Sequence, residues 1–168
     1  MAASSLSQVN QKLAYCRALM KLVRAEPASK RADDRLRRQA LLDAGAFHLL
    51  CAYRHYLREL AENYAVPETS GIYTEQDLIQ ALERLGKTPS EPRELQTLSE
   101  NTDSWLVALQ TAYEAFWLPP RDSAQRIEVI DLDAPQNAGR QVSRQSLEAW
   151  YQAFNALIER QRETSAEY

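Results

Sequence analysis

Ala46-Phe47-His48-Leu49-Leu50-Cys51-Ala52-Tyr53 is apolar on almost every side when wound into a helix, and a helix without a solvent face has to be enclosed by neighbours. The stretch lies at the centre of the longest helical pattern in the chain, residues 30–65. Phe47, Leu50, Tyr53, Leu57, Leu60, Ala61 and Tyr64 fall on one broad face, the expected main core seam. With only four glycines in 168 residues, a fold rich in tight turns is disfavoured and further helices are the expected enclosure.

Those helices are legible on both sides. Before the seam, Leu6, Val9, Leu13, Cys16, Met20 and Val23 recur at three- and four-residue steps, predicting a helix over 7–25 that Pro27 stops. After it, Pro67 and Gly71 mark a loop. Thr74 then caps a helix over 74–86 with Leu78, Ile79, Leu82 and Leu85 inward and Gly86 at its end. A short helix over 91–100 tolerates Pro92 in its first turn and turns Leu95 and Leu98 inward. Trp105, Leu106, Leu109, Ala112, Tyr113, Phe116 and Trp117 predict a helix over 103–117, ended by Pro119-Pro120. Residues 118–142 read as irregular, with 126–132 open as a short strand or an extended strap. Leu147, Trp150, Tyr151, Phe154, Leu157 and Ile158 stripe a last helix over 144–162. The expected fold is all-α: one domain, 1–168, built as an antiparallel bundle of five to six helices. The first, second, fifth and sixth supply the core, the third and fourth form a small helical cap, and a long irregular segment precedes the last helix.

Composition narrows the classes of function. No window approaches eighteen apolar residues and the N-terminus has no signal-peptide pattern, so no membrane association and a cytoplasmic location are expected. Cys16 and Cys51 lie in helical apolar stretches and read as reduced packing thiols. The net charge of −3 hides an asymmetry: residues 1–58 carry eleven Lys/Arg against four Asp/Glu, and the rest of the chain is acidic. Packing the halves side by side would neutralise both; a basic patch for an acidic partner is the sharper reading.

Few side chains form a pattern that carries chemistry. His48, His55 and Glu59 fall on nearly one line of the second helix, with Cys51 between the histidines. Imidazole and thiolate suit zinc, but His48 and His55 stand about 10 Å apart along the axis. His55 with Glu59 is the better pair, and any site needs ligands from other helices. Histidines hydrogen-bonding at a helix contact are the plainer reading, so no metal and no cofactor are expected. Ala44, Gly45 and Ala52 lie beside that line, small enough for another helix to approach, either a bundle neighbour or a second subunit. Arg31, Arg35 and Arg38 align on one face at a spacing that could track phosphates. Asp33 and Asp34 interrupt the run and no aromatic residues interleave, so nucleic-acid binding is disfavoured. Asp33-Asp34 and Asp131-x-Asp133 read as solvated charge. Of the three tryptophans, Trp105 and Trp150 read as core or interface anchors, while Trp117, at a helix end, is within a partner's reach. No phosphate-cradling glycine loop, nucleophile elbow, CxxC pair or HExxH motif is present.

Asn10-Gln11-Lys12-Leu13, Ala46-Phe47-His48-Leu49, Ser104-Trp105-Leu106 with Ala112-Tyr113, and Pro119-Pro120 resemble an uncharacterised bacterial family of small helical proteins, known only as a domain of unknown function. The resemblance runs from about residue 8 to 120 and is weaker in the C-terminal third. It implies a cytoplasmic bacterial protein with an all-α fold and supplies no activity; Asn10, His48 and Trp105 are motif positions without an assigned role. The expected function is a non-enzymatic helical module that binds protein, itself or another. A metal- or ligand-binding bundle centred on His48 and His55 is the alternative, and a weak nucleic-acid binder the second.

Overall fold

Six helices account for the regular structure of the described residues, 4–26, 31–117 and 142–166, in a computed structural model of the chain. They are α1 (Ser5–Ala25), α2 (Ala32–Asn63), α3 (Glu75–Arg84), α4 (Ser90–Glu100), α5 (Trp105–Glu114) and α6 (Arg144–Ala166). The fold is all-helical, as the periodicities predict. The open question of a strand at 126–132, and nearly all of the segment expected to be irregular, lie outside the described residues.

The ends of these helices follow from local chemistry. Ser4 caps α1, its side chain accepting from the Ser7 amide. Thr74 and Asp77 form a reciprocal capping box on α3. Ser104 accepts from the Val107 amide at 3.1 Å and donates to the Leu98 carbonyl at 2.6 Å, so one hydroxyl starts α5 and ties it to α4. Two helices close in the same way. At the end of α3, the Gly86 and Lys87 amides donate to the Glu83 and Leu82 carbonyls, with Gly86 at φ 69°. At the end of α2, the Ala65 and Val66 amides donate to the Glu62 and Ala61 carbonyls, with Ala65 at φ 58°. Both are Schellman closures, and the second puts a Cβ where glycine is preferred. That turn ends α2 at Asn63, short of the expected boundary at 65.

The core is one continuous cluster. Val9, Leu13, Cys16, Met20 and Val23 of α1 face α2, whose buried residues run from Leu42 to Ala61. Tyr53 and Tyr56 meet Phe154 of α6 edge to face at 5.7 and 6.0 Å, and Trp105 of α5 packs on the same ring at 5.7 Å. Leu78, Leu82 and Leu95 belong to this cluster too, so α3 and α4 contribute to the main core.

Four residues expected on buried stripes lie outside. Leu6 is exposed because α1 begins early enough for Ser5 to occupy the stripe, where its hydroxyl donates to Glu62 Oε1 at 2.6 Å. Leu85 is exposed at the C-cap of α3, where the helix has closed. Phe47 is 39% exposed because Leu42, Ala46 and Leu49 take the buried side of that part of α2. Phe116 is exposed because α5 ends at Glu114, and the i→i+3 bonds Phe116 to Tyr113 and Trp117 to Glu114 turn the chain off the helical stripe.

Polar contacts lock the helices in register. Glu59 is only 2% exposed. Its two carboxylate oxygens accept from Arg162 Nε and Nη2 at 2.7 and 2.8 Å, and Arg162 Nη1 also donates to Asn10 Oδ1, joining α1, α2 and α6. Tyr56 donates to Gln161, and Gln161 and Arg160 both donate to Glu94 of α4. Arg24 pairs with Glu148 between the basic first part and the acidic remainder, whereas Glu59–Arg162 and Glu94–Arg160 pair within the acidic part.

Two outcomes are expected in urea unfolding. Ala65→Gly raises stability by about 1 kcal/mol and Gly86→Ala lowers it by a similar amount. Arg162→Met, which strands a buried carboxylate, costs about 3 kcal/mol, and much of that loss is recovered in Arg162→Met with Glu59→Met.

Candidate functional site

Two of the small residues of α2, Gly45 and Ala52, are used within the chain. A Cβ on Gly45 would stand 2.6 Å from Leu147 Cδ2, so the glycine is the seat that lets α6 close onto α2. Ala52 is fully buried and Ala44 half-buried. Glu59 is held by Arg162 through both oxygens, and among the described residues no three His, Cys, Asp or Glu side chains group as metal ligands.

The thiols and imidazoles are tuned toward neutrality. Burial pushes the Cys16 thiol up to about 12 and also raises Cys51, against the opposing pull of Lys12 and Arg54. Burial lowers His48, with the Lys12 charge adding to it; burial lowers His55, with Arg58 and Lys12 adding. His48 Nδ1 is buried without a hydrogen-bond partner among the described residues. The basic face is partly engaged: Arg37 pairs with Glu26 and Asp34, Arg38 donates to the Glu26 carbonyl, and Arg31 and Arg35 also have interactions of their own.

What stands out on the surface is a run of aromatic rings across three helices. Tyr15 of α1 meets His48 at 5.2 Å, and His48 meets Phe47 at 5.5 Å. Phe47 meets Tyr113 of α5 at 6.0 Å, and Tyr113 meets Phe116 and Trp117, each at 6.0 Å. Tyr15, Phe47 and Phe116 are about two-fifths exposed and Trp117 is 70% exposed. Lys12 lies over the Tyr15 ring and Arg54 over the Tyr113 ring, at 5.7 and 5.3 Å from the centroids. The ridge thus combines apolar area with two cations. Trp117 and His48 are the members the sequence points to. Tyr15 carries a readable signal, since it breaks the polar side of α1 off the Val9–Leu13–Cys16 stripe. Phe47, Tyr113 and Phe116 sit on helical stripes, and periodicity alone assigns them to the core.

Beside the ridge, sharing Tyr113, is a cleft of about 230 Å³. It lies between α2, α5 and the start of α3, lined chiefly by Tyr53, Arg54, Tyr73, Glu75, Tyr113 and Glu114. Tyr53 donates its hydroxyl to the buried Glu75 carboxylate. Burial, with the Glu75 charge next, holds Tyr53 well above the ordinary tyrosine range, so it remains a donor.

These features define an all-α helical bundle with a solvent-facing aromatic surface; no helix among the described residues is long and apolar enough to cross a membrane. Over residues 1–168 the chain matches the family described as a family of unknown function, DUF6586, and it belongs to that family. The match extends the resemblance read from residues 8 to 120 over the whole chain. No curated protein and no solved structure matches it.

The lowered histidines set a pH dependence. Because the folded state favours neutral imidazole, their contribution is complete above the unfolded value of 6.5 and is lost as pH falls through that value toward the lower folded ones. Chemical denaturation between about pH 7.5 and 5.5 should show falling stability, with a shallower fall in His48→Gln with His55→Gln.

Proposed function

We propose that this protein is a non-enzymatic helical module that docks a protein partner on the ridge formed by Tyr15, Phe47, Tyr113, Phe116 and Trp117. The observation that carries the reading is the continuity of those rings at the surface. Contiguous exposed apolar area is costly to leave in water and marks interaction sites, and aromatic residues are enriched at the centres of protein interfaces. Two rings are flanked by the cations Lys12 and Arg54, and residues 1–58 carry eleven basic against four acidic side chains. The complementary partner is therefore an acidic amphipathic segment, apolar toward the rings and carboxylate-bearing toward Lys12 and Arg54. Glu59 and the small residues Gly45 and Ala52 serve the bundle in this reading, and the ridge serves the partner. The cytoplasm of a bacterium is the setting we infer: two free thiols suit a reducing compartment, and the resemblance implies the bacterial host.

The test uses two synthetic amphipathic peptides with the same leucine and phenylalanine positions, one with glutamates and one with lysines on the polar side. The acidic peptide is expected to bind, shift Trp117 emission and weaken with added salt. Trp117→Ser or Phe47→Ser should reduce its affinity about thirtyfold, the size of an aromatic hot spot. Equal binding of the two peptides, or affinity untouched by both variants, refutes the acidic partner. A homodimer in native mass spectrometry that Phe47→Ser dissociates would assign the ridge to self-association instead.

A further inference from the structure

The cleft beside the ridge holds charges that have no salt bridge among the described residues. Glu75 is 8% exposed, and its hydrogen-bond partner is the neutral Tyr53 hydroxyl. Neither Glu75 nor Glu114 has a salt bridge among the described residues. Arg54, on the same cleft, has none either and rests on the Tyr113 ring. A buried carboxylate without a cation is unfavourable unless something completes it. Its position in the first turn of α3 supplies part of the compensation through the helix dipole. The cleft itself offers room for the rest, about 230 Å³. Its rim already accepts guanidinium groups on tyrosine: Arg54 lies over Tyr113 at 5.3 Å and Arg58 over Tyr73 at 5.2 Å.

We propose that this cleft binds a small basic α-amino acid of the arginine type, with its cationic groups toward Glu75 and Glu114 and its carboxylate toward Arg54. The charges match in number and sign. Two carboxylates and one guanidinium in the wall face two cationic groups and one carboxylate in the ligand. The exposed Tyr73 and the part-exposed Tyr113 add ring surface for the aliphatic stem and the planar guanidinium, and the Gln110 amide, also in the wall, supplies a neutral donor and acceptor. A wall of one charge sign would select a simple diamine or a simple dicarboxylate; the mixed wall selects against both. The cleft shares Tyr113 and Arg54 with the docking ridge, but Phe47 and Trp117 do not line it, so variants at those two positions separate the two readings.

Isothermal titration of the full chain with L-arginine, agmatine and L-glutamate tests it. L-Arginine is expected to bind saturably, with agmatine, which lacks the carboxylate, about tenfold weaker and L-glutamate weaker still. Glu114→Gln, at an exposed position, should reduce L-arginine affinity about tenfold without unfolding the protein. Arg54→Ala should abolish the preference for L-arginine over agmatine, and Trp117→Ser should leave L-arginine binding intact. Absence of L-arginine binding up to about 10 mM, stronger binding of L-glutamate, or affinity unchanged in both Glu114→Gln and Glu75→Gln overturns the proposal. Circular dichroism of Glu75→Gln separates lost binding from lost fold.

Discussion

The enclosure of α2 is the constraint on which the other elements depend. Its buried residues run from Leu42 to Ala61 and cover more than one face, so a single partner helix cannot satisfy it. α1 covers one side along its apolar stripe, α6 closes on another where Gly45 makes room for Leu147, and α5 brings Trp105 against Tyr53 and Phe154. A bulkier residue at position 45 would hold α6 off α2 and open the Tyr53–Tyr56–Phe154 cluster below it.

Enclosure brings polar groups inward, and their pairing gives the bundle a unique register. Glu59 would be a severe liability if α6 were rotated or shifted, because Arg162 would then leave the carboxylate buried and alone. Tyr56, Gln161, Glu94 and Arg160 repeat the principle between α2, α4 and α6. Apolar packing tolerates several registers of helix against helix; a directional bidentate pair with a 2% exposed carboxylate tolerates few.

Nearly all of the fold was legible in the sequence, and much less of the surface. Element existence and type follow from periodicity and from capping residues such as Thr74, Asp77 and Gly86. The histidine line drew attention because His48, His55 and Glu59 align on α2, yet alignment on one helix says nothing of what stands opposite. Opposite Glu59 is an arginine from the far end of the chain. The ridge was hidden for the converse reason. Phe47 and Phe116 obey helical periodicity as well as core residues do, and whether a neighbour covers them depends on where α5 ends and how α1 and α5 flank α2. The cleft needs three segments to meet, residues 50–54, 73–75 and 110–114.

By itself the sequence determined the helical class, the order of the helices, most of their boundaries and the apolar stripes of α1, α3 and α6, because those depend on interactions within a few residues along the chain. Only the tertiary structure decided that Phe47, Phe116 and Trp117 form one exposed surface with Tyr15 and Tyr113, that Gly45 serves α6, that Glu59 is spent on Arg162, and that Glu75 lines a cleft with Arg54 and Glu114. Each of these depends on the choice of neighbour across the bundle, a long-range property that no local periodicity encodes.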